Sequence, residues 1–162
     1  MRDENNDTIC GYEIFSILQN ELIKNLPIKY KQNWDLIDID VIKKEFEAIT
    51  RRLNNGHAYY EIFTYFEIYS TLFELMDKAS IDQEQKNFFW SLIRRSSTAS
   101  EQITLFYLAP IWTRLYNSLE KSTIFISFSP QNIEGFALKF YNKNHFYTEE
   151  WSKFYESQQD PA

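Results

Sequence analysis

The segment from residue 57 to residue 79 is the feature that most restricts how this chain can fold. Its apolar side chains recur at spacings of one, three and four residues and surround most of a helix circumference, a pattern typical of a central helix. A second aromatic-rich stretch follows at 82–109. Because the chain has only 3 glycines and 4 prolines, long helices are favoured over a turn-rich β architecture. We therefore expect an all-α protein built around these two helices.

The same periodicity divides the chain into about five to seven helices within a single helical domain, residues 1–162. That length suits one domain, and no linker or repeat divides it. Residues 1–10 and 158–162 are expected to fray. The helices are predicted at 12–26, 33–53, 57–79, 82–109, 131–141 and 149–156, and residues 111–119 either extend the fourth helix beyond Pro110 or start a new one.

Capping residues and prolines predict where these helices begin and end. Pro27 predicts the end of the first helix, and the capping-box spacing of Ser80 and Gln83 predicts a helix start near Asp82. Residues 122–128 are rich in β-branched and aromatic side chains, and we expect a buried extended connector there. The remaining signals are Asp38 or Asp40 as an N-cap, Asn54-Asn55-Gly56 as a stop, Ser129-Pro130 as a start and Thr148 as an N-cap.

Charge and cysteine content restrict the partners and the compartment. The formal net charge is −6 at pH 7, so nucleic acid is not expected as a direct broad-surface ligand. Cys10 is the single cysteine, which allows no internal disulfide and suits a reducing cytosol. The N-terminus is acidic and polar, and no apolar stretch has the length of a signal peptide or a membrane span. We expect a cytoplasmic protein without a membrane span.

Few residues offer catalytic or metal-binding chemistry. His57 and His145 are far apart, and neither belongs to a His-x-x-x-His or Glu-x-x-His arrangement that places metal ligands on one helix face. Cys10 lies near the start of the chain, and the serines lack the glycine-flanked elbow of a nucleophile. We expect no metal and no cofactor, and the inventory favours a protein that is not an enzyme.

Arg52-Leu-Asn-Asn-Gly-His57 is the sharpest catalytic candidate. It resembles the Arg-x4–6-His element of HEPN-type ribonucleases, helical proteins in which such a pair lies at a cleft made by a dimer. The resemblance implies an RNA-cleaving toxin in which His57 is the general base and Arg52 stabilises the phosphorane-like charge. The alternative, favoured by the capping pattern, is an arginine at a helix C-terminus, followed by a capping Asn-Gly and a first-turn histidine.

A polar line is predicted within the 82–109 helix. Arg94 and Glu101 are seven residues apart, about two helical turns, and Thr98 lies between them on the same side. Because buried charges must be paired, we expect a seam with Glu61, Glu67 or Glu74 of the preceding helix. Tyrosine and arginine are also common interface anchors. The candidate polar-seam or interaction residues are Arg94, Thr98, Glu101, Glu67, Tyr65, Phe66 and Tyr107.

Four segments, taken in order, resemble the phage abortive infection protein family of bacteria. Phe15-Ser-Ile-Leu-Gln-Asn-Glu-Leu-Ile-Lys-Asn-Leu26 and Lys44-Glu-Phe-Glu-Ala-Ile-Thr-Arg-Arg-Leu53 are similar to its first two soluble helical elements. Residues 65–77 resemble a His-Tyr-Phe-Arg helix that ends in Ile-Asp, with Thr64 and Glu67 in place of the histidine and arginine. Residues 94–107 resemble an Arg-Ala-Gln-Leu-Ser-x-x-Glu helix that ends in Leu-Phe-Tyr-Asn, with Leu108 in place of the asparagine.

This resemblance covers residues 15–119 and implies a component of an antiphage defence system. Such a component would act through protein contacts as an accessory, regulatory or effector subunit. The implied partner is a protein encoded in the same defence operon, such as a nuclease, a reverse transcriptase or a toxin, or a second copy of the chain. Family members commonly carry hydrophobic N-terminal spans, which this sequence lacks, so membrane disruption is not the expected role.

Overall fold

Eight α-helices, with short 3-10 and π turns, form the described part of the chain. The computed structural model describes residues 11–31, 33–120 and 122–159, and no β-strand occurs in these ranges, which confirms the all-α prediction. The helices number eight because the predicted fourth helix is two helices. They are α1 (Glu13–Ile23), α2 (Ile39–Leu53), α3 (Glu61–Lys78), α4 (Gln83–Ser96), α5 (Ala99–Leu108), α6 (Thr113–Leu119), α7 (Glu134–Phe140) and α8 (Glu149–Gln159).

Pro27 does not stop the helical path of the first segment. After α1 the chain continues as a π-helical turn, Lys24–Ile28, that contains Pro27. The Lys29 N–H donates to the Lys24 carbonyl at 3.1 Å, five residues back, and such a widened turn accommodates the missing donor of a proline. Because the turn keeps Leu26 and Pro27 buried, it becomes part of the core.

Helix α2 begins at a cap that the sequence predicted. The Asp38 side chain accepts a hydrogen bond from the Val41 N–H at 2.8 Å, so Asp38, and not Asp40, is the N-cap. A 3-10 turn, Trp34–Leu36, precedes it.

Helix α3 begins four residues later than predicted and is buried on one side only. It buries Phe63, Phe66, Tyr69 and other residues of one face. On the opposite side Ile68, Leu72 and Leu75, at helical spacings of four and three, are 57%, 38% and 60% exposed. The prediction that this helix is buried around most of its circumference is therefore wrong for the side that carries Ile68, Leu72 and Leu75.

The predicted continuous helix at 82–109 is wrong. Ser97 is extended, with φ −89° and ψ 137°, and it separates α4 from α5. Helix α4 does begin near Asp82, but the capping box joins Asp82 to Gln85 rather than Ser80 to Gln83. After α5, Pro110 lies in a 3-10 turn, Ala109–Ile111, and α6 starts afresh after the extended residue Trp112.

Phe106 of α5 lies at the centre of an aromatic core. It has no solvent exposure. Its ring centroid is 5.0–6.3 Å from those of Tyr107, Phe125, Phe128, Phe136, Tyr141 and Phe146. Phe125 comes from the extended connector predicted at 122–128, which pairs with residues 145–147 in a single parallel bridge between Phe125 and Phe146.

The last two helices of the chain, α7 and α8, complete the core. Helix α7 starts at Glu134, so the helix start predicted at Ser129-Pro130 is wrong, and residues 131–133 form a turn instead. The helix packs so tightly that a Cβ on Gly135 would lie 1.8 Å from Trp34 Cδ1. Helix α8 starts as predicted, but the Thr148 hydroxyl has no hydrogen-bond partner among the described residues. It continues to Gln159. Fraying was predicted for residues 1–10 and 158–162. It is wrong for residues 158 and 159, which belong to α8, and residues 1–10 and 160–162 lie outside the described residues.

Candidate interaction surface and polar sites

The break at Ser97 separates the members of the predicted polar line. Thr98 is the N-cap of α5: its hydroxyl accepts from the Glu101 N–H at 3.2 Å, and the Glu101 carboxylate accepts from the Thr98 N–H at 2.5 Å. This reciprocal capping box explains why those two residues lie three apart. Arg94 belongs to the end of α4 instead, so the three residues do not share one side of a single helix.

Glu101 is joined to α3 through a tyrosine. The Tyr65 hydroxyl donates a hydrogen bond to the Glu101 carboxylate, and burial first, then this hydrogen bond, raises the pKa of Tyr65 well above its usual value. The neighbouring Phe66 is fully buried, and its ring lies 5.8 Å from that of Phe15. The structure therefore brings Tyr65 and Glu101 together as a helix-joining contact.

Arg94 is buried without a carboxylate partner among the described residues. Its guanidinium donates to the Thr123 hydroxyl at 2.8 Å and lies 4.2 Å from the centre of the Tyr147 ring, a cation–π geometry. Burial lowers the pKa of Arg94. The predicted pairing of this arginine with a glutamate of α3 is wrong, because Arg94 packs against the 122–128 connector and Tyr147.

Glu67 and Glu74 pair with an arginine that sequence reasoning missed. Arg114 of α6 donates to the Glu67 carboxylate, and its Nε donates to Glu74 at 3.1 Å. The Arg114 side chain is about half exposed, so this pairing contributes little to the free energy of unfolding. Nothing in the spacing of the sequence relates Arg114 to α3, and only the packing of α6 on α3 reveals it.

Gln102 is the second residue that the sequence did not single out. It is fully buried; its amide nitrogen donates to the Ser97 hydroxyl at 2.9 Å, and its oxygen accepts from the Ile126 and Ser127 N–H groups at 2.9 and 3.0 Å. One side chain thus joins the α4–α5 break to the extended connector. A polar residue on the core side of an amphipathic helix was the available signal.

Arg52 and His57 lie at the end of α2 but are not joined. Arg52 forms an ion pair with Glu21 of α1. Asn55 and Gly56, at φ +50° and +85°, close the helix in the left-handed conformation. His57 is exposed in the loop before α3, not in its first turn, and no hydrogen bond or ion pair connects it to Arg52 in the described structure. The ribonuclease role remains a prediction.

Helices α3 and α4 together present an apolar surface. A shallow groove of about 520 Å³ lies between them. We define the α3–α4 apolar face by the groove residues Leu72, Leu75, Met76, Phe89, Leu92 and Ile93, together with the adjacent exposed residues Ile68 and Phe88. Isolated exposed apolar residues are common, but a contiguous set of this kind marks an interaction site.

The described residues contain neither a cluster of metal ligands nor a helix that could span a membrane. No group of three or more His, Cys, Asp or Glu side chains among them is placed to hold a metal ion, and Cys10 lies outside them. Within the same ranges, no helix combines the length and the apolar character needed to cross a membrane.

Comparison with known proteins does not identify a family for this chain. No family model, curated protein or solved structure gave a significant match to this chain. What the structure defines is therefore an all-α domain with an exposed apolar face.

Proposed function

We propose that this protein is a component of a bacterial antiphage defence system of the abortive infection type, acting through contacts made by the α3–α4 apolar face. The observation that carries the proposal is the exposure of that face, where Leu75 and Phe88 are each about 60% exposed. Exposed apolar area of this extent favours burial against another protein. The defence context is supported by the order of the four family-like segments between residues 15 and 119.

The groove fits an amphipathic helix of a companion protein encoded in the same operon. Its lining is almost entirely apolar, and Lys78 is the one charged residue among the side chains that line it. An apolar helix face therefore provides the buried area, and a carboxylate on that helix would meet Lys78 at the groove's edge. In this arrangement the chain acts as an accessory, regulatory or effector subunit.

Co-purification from cells that carry the native neighbouring genes tests the proposal. We expect a protein encoded beside this chain to co-purify with it, and the purified pair to reassociate. Phe89→Glu places a charge on the α3–α4 apolar face and should abolish the association and the protection against phage plating. Asn87→Glu is the matched control, since residue 87 is exposed and lies about 200° around the helix from residue 89.

Two results would overturn the proposal. One is a strictly monomeric protein with no companion, whose deletion leaves phage plating unchanged. The other is an association that Phe89→Glu and Asn87→Glu weaken equally, with circular dichroism showing both variants folded. A second copy as the occupant would appear as a Phe89-dependent dimer in light scattering, and that result would exclude the companion helix.

A further inference from the structure

A separate cleft of about 590 Å³ lies between the π-helical turn that follows α1 and the loop that leads into α7. Its walls come from residues 23–31, from α5 and from residues 128–133. Sites for small organic molecules typically have volumes of roughly 300–1,000 Å³ and mainly apolar walls. The apolar side chains here are Ile23, Pro27, Ile28, Ile103, Phe128 and Ile133.

Tyr107 gives this cleft an unused hydrogen-bond donor. The residue lines the cleft and is 1% exposed, and its hydroxyl has no hydrogen-bond partner among the described residues. Other buried tyrosines are satisfied: the Tyr141 and Tyr155 hydroxyls donate to backbone carbonyls at 2.6 and 3.0 Å. Burial raises the pKa of Tyr107, so its hydroxyl keeps its proton at neutral pH. A buried donor without an acceptor is rare and unfavourable.

Lys31 gives the same cleft a positive charge. It is exposed, lines the cleft, and forms no ion pair with any other described residue. Its backbone has φ +50°, and its N–H donates to the Ile28 carbonyl at 3.1 Å. This turn places the lysine beside the cleft, where an ammonium group favours a negatively charged ligand.

We propose that this cleft binds an apolar organic carboxylate. The hydrocarbon part packs on the isoleucine side chains, the ligand accepts a hydrogen bond from the Tyr107 hydroxyl, and Lys31 neutralises the carboxylate. Because that hydroxyl is covered in the free chain, a lining side chain changes rotamer when the ligand enters. The site is independent of the α3–α4 apolar face and of the proposed defence role.

Methyl NMR of isoleucine-labelled protein, titrated with decanoate, tests this site. We expect saturable shifts of the Ile23, Ile103 and Ile133 methyl groups. Tyr107→Phe should weaken decanoate binding about tenfold, the effect of losing one hydrogen bond to a charged acceptor. The variant should fold normally, because the hydroxyl it removes is unpaired in the free chain. Lys31→Met should weaken binding of decanoate but not of 1-decanol.

Tyr155→Phe is the control, since it removes a buried hydroxyl that does not line the cleft and should leave decanoate affinity unchanged. Equal affinity of the wild type and Tyr107→Phe would overturn the proposal. So would methyl shifts confined to Ile68 and Ile93, which would place decanoate on the α3–α4 apolar face instead.

Discussion

Helices α4 and α5 are consecutive, and each begins with a capping box, but they differ greatly in burial. Of the 14 residues of α4, Arg94 is the one that is buried. The 10-residue helix α5 buries Glu101, Gln102, Thr104, Leu105, Phe106, Tyr107 and Leu108. Helix α4 nevertheless carries Phe88, Phe89 and Leu92, all exposed. Aromatic content alone therefore does not indicate which helix forms the core; it indicates here which helix still has apolar surface to bury.

The largest expected difference between the two helices comes from removing a phenylalanine ring. Phe106→Ala should lower the free energy of unfolding by about 3–5 kcal/mol, because it leaves a cavity in the aromatic core. Phe89→Ala on α4 should change it by less than about 0.5 kcal/mol, as expected at an exposed site. Urea denaturation of both variants measures the contrast, and equal losses would show that α4 contributes to the core as much as α5 does.

Glutamine-to-leucine substitutions, one in each of the two helices, should give a smaller difference in the free energy of unfolding. Gln102→Leu should lower the free energy of unfolding by about 2 kcal/mol, because the Ile126 and Ser127 N–H groups lose their acceptor. Gln83→Leu on α4 removes only an exposed hydrogen bond to Asn87 and should have an effect below about 0.5 kcal/mol. Equilibrium denaturation provides the values. A Gln102→Leu variant as stable as the wild type would mean that water replaces the glutamine oxygen.

The difference in the free energy of unfolding between the two N-cap variants should be smaller than the difference between the core variants. Thr98→Ala should destabilise the protein by about 1 kcal/mol, since fraying of the first turn of α5 would expose the fully buried Gln102. Asp82→Ala removes the equivalent cap of α4, where fraying exposes little buried surface, so global stability should change less. Hydrogen exchange should show faster exchange confined to the first turn of α4 in the second variant. Thr98→Ser, which keeps the hydroxyl, is the control.

The smallest expected effect is the contribution of His145 to the pH dependence of stability. His145 is buried, and desolvation lowers its pKa below the ordinary value despite a hydrogen bond with Asn142 that raises it. Above about pH 6.5 the imidazole is neutral in both folded and unfolded states and contributes nothing to the pH dependence. As the pH falls below that value, the unfolded state takes up the proton first, so stability decreases until the folded pKa is reached.

Denaturation at pH 7.5 and 5.5 measures this effect as the difference in the free energy of unfolding between the two conditions. His145→Gln should reduce the difference. His57→Gln, at an exposed position outside the core, should leave it unchanged. A pH dependence that both substitutions alter equally would contradict the assignment to His145.

Helix existence and the two caps of α2 were predictable because they depend on residues close in sequence. Asp38 caps α2 through a residue three positions away, and such local geometry follows from residue type. The α4–α5 break was missed although Thr98 and Glu101 have capping-box spacing, because the apolar pattern continues across Ser97. The Glu67–Arg114 and Gln102–Ile126 contacts span 47 and 24 residues. They depend on how helices pack, which periodicity does not encode.

The fit of Trp34 over Gly135 has a consequence for recognising relatives of this chain. Since a methyl group at residue 135 would lie 1.8 Å from the indole ring, these two positions, about a hundred residues apart, must vary together. A homologue with a larger residue at position 135 should carry a small one at position 34. Such covariation would identify members of the same fold even where overall sequence identity is low.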